Sequence, residues 1–380
     1  MLPIVTPRHN FSATMRHLLL AAASTLAALL FTEVALRLVG PVDESLELRR
    51  YSVPILDRPN SQWVTLPELP VLRGDSTADP RLKFELPASA HFRLQYDASK
   101  GHRRPYMQGG GSVAFVDVST TASGYRSNLP TEDKAPGIKR LVGVGDSFLF
   151  GDGVPNEATF FYLVGQALQG VESFNLGVPG YDITDVLATT QVKVPALHPD
   201  IVLYTLILND PPAHLSPDLA ALAGEALKLN RELFAAPTGL AHFSALARLI
   251  QKSRSHRALD TAYRAVVQAS FEKGTGSRNG FDSALLQMRD EVEALGAQFI
   301  VVIFPLLNRL DGAYPFLSIH QDLRGMFEDE GIVYLDLQEI FEGRDASELW
   351  VHPTDQHPNE IAHKIAADAL LPFLQKRLEE

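Results

Sequence analysis

The sequence predicts a three-layer α/β domain built on a parallel sheet, preceded by a helix able to cross a membrane. Three observations predict it. From about residue 138, short apolar runs alternate with helical patterns, the rhythm of strands joined by crossover helices. Ile201–Leu208 is almost wholly apolar, as a strand covered on both faces must be. The first forty residues are unlike the rest and carry one long apolar stretch.

That stretch comes first in the chain. Leu18–Phe31 is apolar apart from Ser24 and Thr25, and apolar character continues past Glu33 to Val39. A span from His17 to Val39 exceeds the roughly 20 residues needed to cross a hydrocarbon core. Arg8 and Arg16 precede it, so the positive-inside rule leaves the N-terminus in the cytoplasm and the bulk of the chain outside, periplasmic in a Gram-negative cell. Glu33 and Arg37 are four apart and are expected to pair on one helix face. A cleaved signal peptide with Leu18–Leu30 as its apolar core is the competing reading, and it would make the protein secreted. Glu33 and Arg37 occupy the positions where a small-residue cleavage site would be sought.

Residues 41–135 read as a small β-rich or irregular accessory region. His91–Tyr96 and Val113–Val118 alternate apolar with other residues, as strands do. Gly109-Gly110-Gly111 is a flexible break; no Lys-Ser/Thr follows it, so it is no phosphate loop. The domain proper is expected at 136–380. Lys139–Val144 reads as a strand, Glu157–Leu168 as a helix, Ser173–Leu176 as a short strand, and Asp182–Val194 as a helix capped by Asp182. After Ile201–Leu208 the strand signal disappears. Leu219–Leu233, Leu240–Lys252 and Arg257–Phe271 look helical, giving a helical insertion over 211–280. It lies directly after Asn209-Asp210 and is either a lid or substrate wall, or a packing elaboration. Ala284–Leu295 is an amphipathic helix, Phe299–Phe304 and Ile332–Leu335 are buried strands, and Glu360–Leu374 is a final helix.

Composition narrows the function. Of 380 residues, 46% are hydrophobic and 21% charged, which suits a packed globular chain. The net charge of −11 (34 basic, 45 acidic) argues against a nucleic-acid partner. There is no cysteine, which excludes disulfides, thiolate metal sites, Cys–His catalysis and a lipoprotein anchor. No cofactor or metal is expected.

Four short blocks carry the chemistry. They are Gly145-Asp146-Ser147 with Phe148–Gly151, then Asn175–Tyr181, then Asn209-Asp210, then Asp355–Asn359. Together they supply a nucleophilic Ser, donors for an oxyanion and an Asp–His pair, the parts of a serine esterase. Ser147 follows a strand and precedes a Gly-rich turn, which sets its hydroxyl at the carboxyl edge of the sheet. It is not a Gly-x-Ser-x-Gly elbow, because position 149 is Leu. Gly180 lacks a side chain and can present its N–H at close range. Asn209 ends an apolar strand, and its amide points at the sheet edge. Each block alone has a bland explanation, a turn or a cap; all four in order at strand ends do not. His352 is a decoy, since it also precedes a proline. A zinc site from His352, Asp355 and His357 would leave the Ser and oxyanion blocks unexplained. His363 reads as a surface or packing residue. Asp146 and Asp152 are expected to cap or brace the turn rather than act as acid and base.

The order and context of these blocks resemble the SGNH (GDSL) hydrolase family over roughly residues 138–375. The resemblance implies a flavodoxin-like strand order, an acyl-Ser147 intermediate, and His357 as base oriented by Asp355. It assigns the oxyanion hole to the N–H groups of Ser147 and Gly180 and the side chain of Asn209. Two positions depart from the family pattern. Ile207 stands where a Gly is usual, and the Asp lies two residues before His357, with Thr354 at the usual spot. Ser123-Gly124-Tyr125-Arg126 resembles a stretch that precedes the catalytic domain in membrane-anchored members, with no chemistry attached. The implied activity is hydrolysis of an ester, with O-acetyl groups on a cell-envelope glycan as candidate substrate. The rivals are an O-acyltransferase using the same acyl-enzyme, and a non-catalytic envelope protein on a hydrolase fold.

Overall fold

Residues 11–39 contain neither proline nor glycine, so nothing in them stops a helix. In the computed structural model they form one helix, α1 (Phe11–Val39). The structure describes residues 11–39, 50–54, 63–66, 72–73, 77, 79–126, 133–233, 238–312 and 314–379. The expected boundary at 40/41 and the flanking Arg8 lie outside the described residues. Within α1, His17–Leu38 is long and apolar enough to cross a membrane, with a mean hydropathy of 1.9, and none of it is buried. A signal sequence satisfies the same criterion.

Short strands follow: β1 (Arg50–Pro54), β2 (Trp63–Leu66), β3 (Leu72–Arg73), β4 (Phe84–Glu85), β5 (His91–Asp97) and β6 (Val113–Ser119). An antiparallel sheet forms in the order β2-β1-β5-β6, while β3 pairs with β4. The alternation in β5 and β6 sends Phe92, Leu94 and Tyr96 to one face, opposite Val118, Val116 and Ala114. These residues belong to the same continuous core as the main sheet, so the change of pattern near 135 is no gap in the core.

The main sheet then assembles. Its elements are β7 (Lys139–Gly145), α2 (Ser147–Phe150), α3 (Phe160–Ala167), β8 (Val171–Asn175), α4 (Ile183–Val192), β9 (Ile201–Leu206), α5 (Pro217–Leu233), α6 (Leu240–Phe243), α7 (Ala245–Ser270), α8 (Gly276–Ala294), β10 (Gln298–Ile303), α9 (Leu317–Asp329), β11 (Val333–Asp336), α10 (Gln338–Phe341), β12 (Trp350–His352), β13 (Asp355–Pro358) and α11 (Glu360–Glu379). The five-stranded order is β11-β10-β9-β7-β8, all parallel. Counted within the domain this is 2-1-3-4-5, the flavodoxin-like order. Right-handed crossovers put α3 and α4 on opposite faces. α3 packs on α11 and α4 on α8, giving the three layers. β9 is buried along its whole length, as its apolar run required.

Three differences from the sequence pattern have physical reasons. The helical stretches expected at Leu240–Lys252 and Arg257–Phe271 are joined through the polar run Ser253–His256, which is helix surface, so α7 is continuous from Ala245 to Ser270. α9 was not anticipated, although Ile319, Leu323 and Phe327 recur every four residues and are buried. The hairpin β12–β13 is too short for a period of two to declare itself.

By its internal contacts the described chain falls into two compact units. One is α1 with Lys228–Asp260; the other holds both sheets and the remaining helices. In the first, the Glu33 carboxylate accepts hydrogen bonds from Ser244 Oγ (2.9 Å) and the N–H groups of Ala245 (2.9 Å) and Leu246 (3.0 Å), capping α7. Arg37 Nε donates to Glu33 at 2.7 Å, the pair expected from their spacing.

Candidate active site

β7 ends at Gly145, and Asp146 caps the next element by accepting from the Phe148 N–H at 2.9 Å. Ser147 is therefore the first residue of α2, held at the carboxyl edge of the sheet. Asn175 ties the second block to this turn: its amide donates to Leu149 O at 2.7 Å, and its oxygen accepts from Gly177 N–H at 2.9 Å. Val178 N–H bonds Gly145 O, and Ile183 N–H bonds Asp210 O. The loops carrying Ser147, Gly180 and Asn209 thus meet at one edge. Gly180 has φ +85°, a backbone conformation that favours glycine, and both it and Asn209 are exposed there.

The Asp–His pair arrives from β13. On a strand, residues two apart share a face, so Asp355 and His357 point the same way. With this spacing of two Asp355 bonds the His357 ring, and Thr354 has another partner, bonding the His352 ring. His357 Nε2 lies 2.8 Å from Ser147 Oγ, and its Nδ1 bonds Asp355 Oδ1. With Nδ1 protonated toward the carboxylate, Nε2 is left to accept the serine proton. The decoy His352 turns away. Its Nε2 bonds Asp97 O at 2.8 Å, its ring packs against Tyr96, and burial holds its basicity below the usual value.

Asp146 also lies near Ser147, with Oδ2 3.2 Å from Oγ. Burial raises its pKa, and raises that of Asp210 further. Asp210 accepts from Tyr204 O–H and from Ile207 N–H at 3.0 Å, bracing the turn that presents Asn209. Ile207, fully buried, fills the place where a glycine was expected.

One partner of the Asp355 carboxylate escaped the sequence. Tyr96, on β5, donates its phenol to Asp355 Oδ2 at 3.0 Å, across 259 residues of chain. Gly153 makes room for it: a Cβ there would stand 2.7 Å from Tyr96 Oη and 2.6 Å from Val351. Tyr263, on α7, lies close enough to Asp146 to feel its charge; burial first, then that charge, pushes its phenol up to about 12.

His363 packs rather than reacts. It is fully buried, stacks on Phe160, and its Nδ1 accepts from the Phe160 N–H at 3.2 Å. Burial, then the nearby Arg126 charge, lowers its pKa to about 3. Between pH 6.5 and about 3 the unfolded chain binds a proton there that the folded chain refuses, so stability is lost as pH falls. The contribution is about 1.4 kcal/mol per pH unit within that window. Melting of His363→Gln and wild type between pH ~7 and ~4.5 should therefore show a shallower acid slope for the variant. Parallel slopes would remove His363 from the acid response.

No family model and no curated protein matches the sequence. Solved structures do. One is a member of the lipolytic G-D-S-L family from Veillonella parvula, 12% identical, with a TM-score of 0.39, spanning 62% of this chain and 98% of that one. Another is a catalytic mutant of an acetylxylan esterase from Geobacillus stearothermophilus, 16% identical, TM-score 0.37, spanning 63% and 95%. A third is a two-domain esterase active on acetylated mannans, 14% identical, TM-score 0.35, spanning 64% and 50%. At these scores the likenesses carry no weight for the chemistry, which stands on the chain's own residues.

Proposed function

We propose that the protein is a serine esterase working through an acyl-Ser147 intermediate. The observation that carries this reading is the unbroken line Ser147 Oγ–His357–Asp355, with 2.8 Å between Oγ and Nε2. In the first half-reaction the Ser147 proton passes to His357 Nε2 as Oγ bonds the ester carbon. The carbonyl oxygen becomes an oxyanion facing the N–H groups of Ser147 and Gly180 and the Asn209 amide. The tetrahedral intermediate collapses, the C–O bond to the alcohol breaks, and His357 returns the proton to the leaving oxygen. Water then repeats the sequence on the acyl-enzyme and releases the acid. Asp355 holds the tautomer and balances the imidazolium charge.

With α1 as a membrane anchor the domain stands outside the cell membrane. Esters of the envelope are then the substrates within reach, O-acetyl groups on glycans first among them. The direct test is reaction of the full chain with an active-site fluorophosphonate, read by intact mass, beside release of acetate from acetylated glycan. A folded sample that takes no label refutes the reading. Transfer of acetyl to an added glycan acceptor, rather than to water, replaces hydrolase with transferase.

Tyr96 should act as a positioning residue. Tyr96→Phe removes the donor to Asp355 and keeps the ring, so kcat should fall about tenfold, the worth of one hydrogen bond to a charged group. The Asp355 charge, no longer shared with the phenol, then holds the imidazolium proton more tightly, and the acidic limb of the kcat/KM profile moves to higher pH. An unchanged rate and limb would make Tyr96 a packing residue only.

A further inference from the structure

The chemistry above names no residue of the unit formed by α1 and Lys228–Asp260, whose composition is unusual for this chain. Between Glu232 and Asp260 there is no acidic residue, while Arg248, Lys252, Arg254 and Arg257 are all basic, in a protein of net charge −11. On α6, Leu240 is 81% and Phe243 74% exposed, and they lie three apart on one helix face. Single exposed apolar residues are ordinary. A Leu and a Phe side by side on a four-residue helix, followed by a cationic helix, make an amphipathic pattern of the kind that lies in a membrane interface.

The position of this pattern along the chain's apolar helix gives the partner. Arg37 is one residue from the end of the membrane-crossing stretch, and its guanidinium donates to Phe243 O at 2.5 Å. Glu33, one turn earlier, caps the start of α7. These contacts set Phe243 level with the point where α1 leaves the apolar layer. They also favour retention of α1, because cleavage would strip the Glu33 carboxylate from Ser244 Oγ and from the first N–H groups of α7.

We propose that α6 and the beginning of α7 form a lipid-binding face, with Leu240 and Phe243 in the boundary between headgroups and acyl chains and the α7 cations over anionic headgroups. The inference rests on α1 being a retained anchor. Buried apolar area and attraction to anionic lipid would act together there.

The absence of cysteine permits a clean test on the full chain. Phe243→Cys and Leu240→Cys, with Leu295→Cys at the end of α8 as reference, carry an environment-sensitive nitrobenzoxadiazole dye in vesicles of phosphatidylcholine with or without phosphatidylglycerol. A cooperative thermal melt followed by circular dichroism reports that each variant is folded. At 243 and 240 the dye emission should shift to the blue and be quenched by shallow spin-labelled lipid; at 295 it should remain that of water. Quenching should strengthen with phosphatidylglycerol and weaken in Arg254→Glu/Arg257→Glu. A chain that floats with the vesicles while the dye at 243 and 240 stays in water overturns the proposal and spares the anchor. A chain that does not float overturns both. Uptake of soluble polygalacturonate by α7, with the dye in water, would assign the cations to an acidic glycan and also overturn it.

Discussion

Ser147→Ala should lower kcat for a short-chain ester by on the order of 10⁴–10⁶-fold while leaving the melting temperature nearly unchanged. The hydroxyl is the only atom lost, and its partners, His357 Nε2 and Asp146 Oδ2, are parts of the site and not of the core. His357→Ala should cost a similar factor, because Oγ without a base at 2.8 Å is an ordinary alcohol. The double variant should be little worse than either single one, since residues that act as a unit do not lose activity additively. Asn209→Ala removes one oxyanion donor and should cost about 10²–10³. The measurements are steady-state kinetics on an acetyl ester and fluorophosphonate mass labelling, which should fail in Ser147→Ala and slow sharply in His357→Ala. Full turnover by Ser147→Ala would remove the acyl-enzyme mechanism outright.

The parts of this site that were legible in the sequence were those fixed by local chemistry. An almost wholly apolar run such as Ile201–Leu208 tolerates little solvent on either face, so its placement in the sheet centre follows from its composition. Ser147, Gly180 and Asn209 stand just past strand ends, where open α/β sheets build their sites, and their order along the chain could be read directly. The spacing of Asp355 and His357 departed from the expected pattern until β13 was seen. A period of two puts them on one face, and a strand of four residues is too short to announce that period. Tyr96 was out of reach for a different reason. Its alternation marked it as an inward strand residue, which it is, but nothing local indicates that its phenol meets a carboxylate 259 residues away. The division of the helical insertion was equally hidden. The partnership of its Lys228–Asp260 part with α1 depends on Glu33 and Arg37 meeting residues more than two hundred positions later.

Arg126 is where a sequence resemblance without chemistry acquires a mechanism. The Ser123–Arg126 stretch ends in a guanidinium that is 2% exposed and enclosed by the turn following the nucleophile. Nη1 donates to Phe150 O (2.6 Å) and Gly151 O, Nη2 donates to Val154 O, and the guanidinium carbon lies 4.5 Å from the centre of the Phe150 ring. Its own N–H bonds Asn175 O, so the residue joins the first two catalytic blocks. Burial lowers its pKa to about 10 and the buried Asp152 opposes that, leaving the group charged at neutral pH. Arg126→Met would fill much of the space but remove the charged donors that the buried Phe150, Gly151 and Val154 carbonyls receive. Breaking such an arrangement costs about 3–5 kcal/mol, a fall in melting temperature on the order of 10 °C for a domain of this size. Activity should drop by about 10² or more even in molecules that remain folded, because the turn sets the position of Ser147 against His357. Arg126→Lys should recover only part of either loss, since an ammonium cannot reproduce a planar fork that serves three carbonyls at once. Thermal melting and label incorporation at Ser147, followed on the same samples, separate the two effects. If Arg126→Met melts and labels like the wild type, the turn holds itself and the guanidinium is incidental to it.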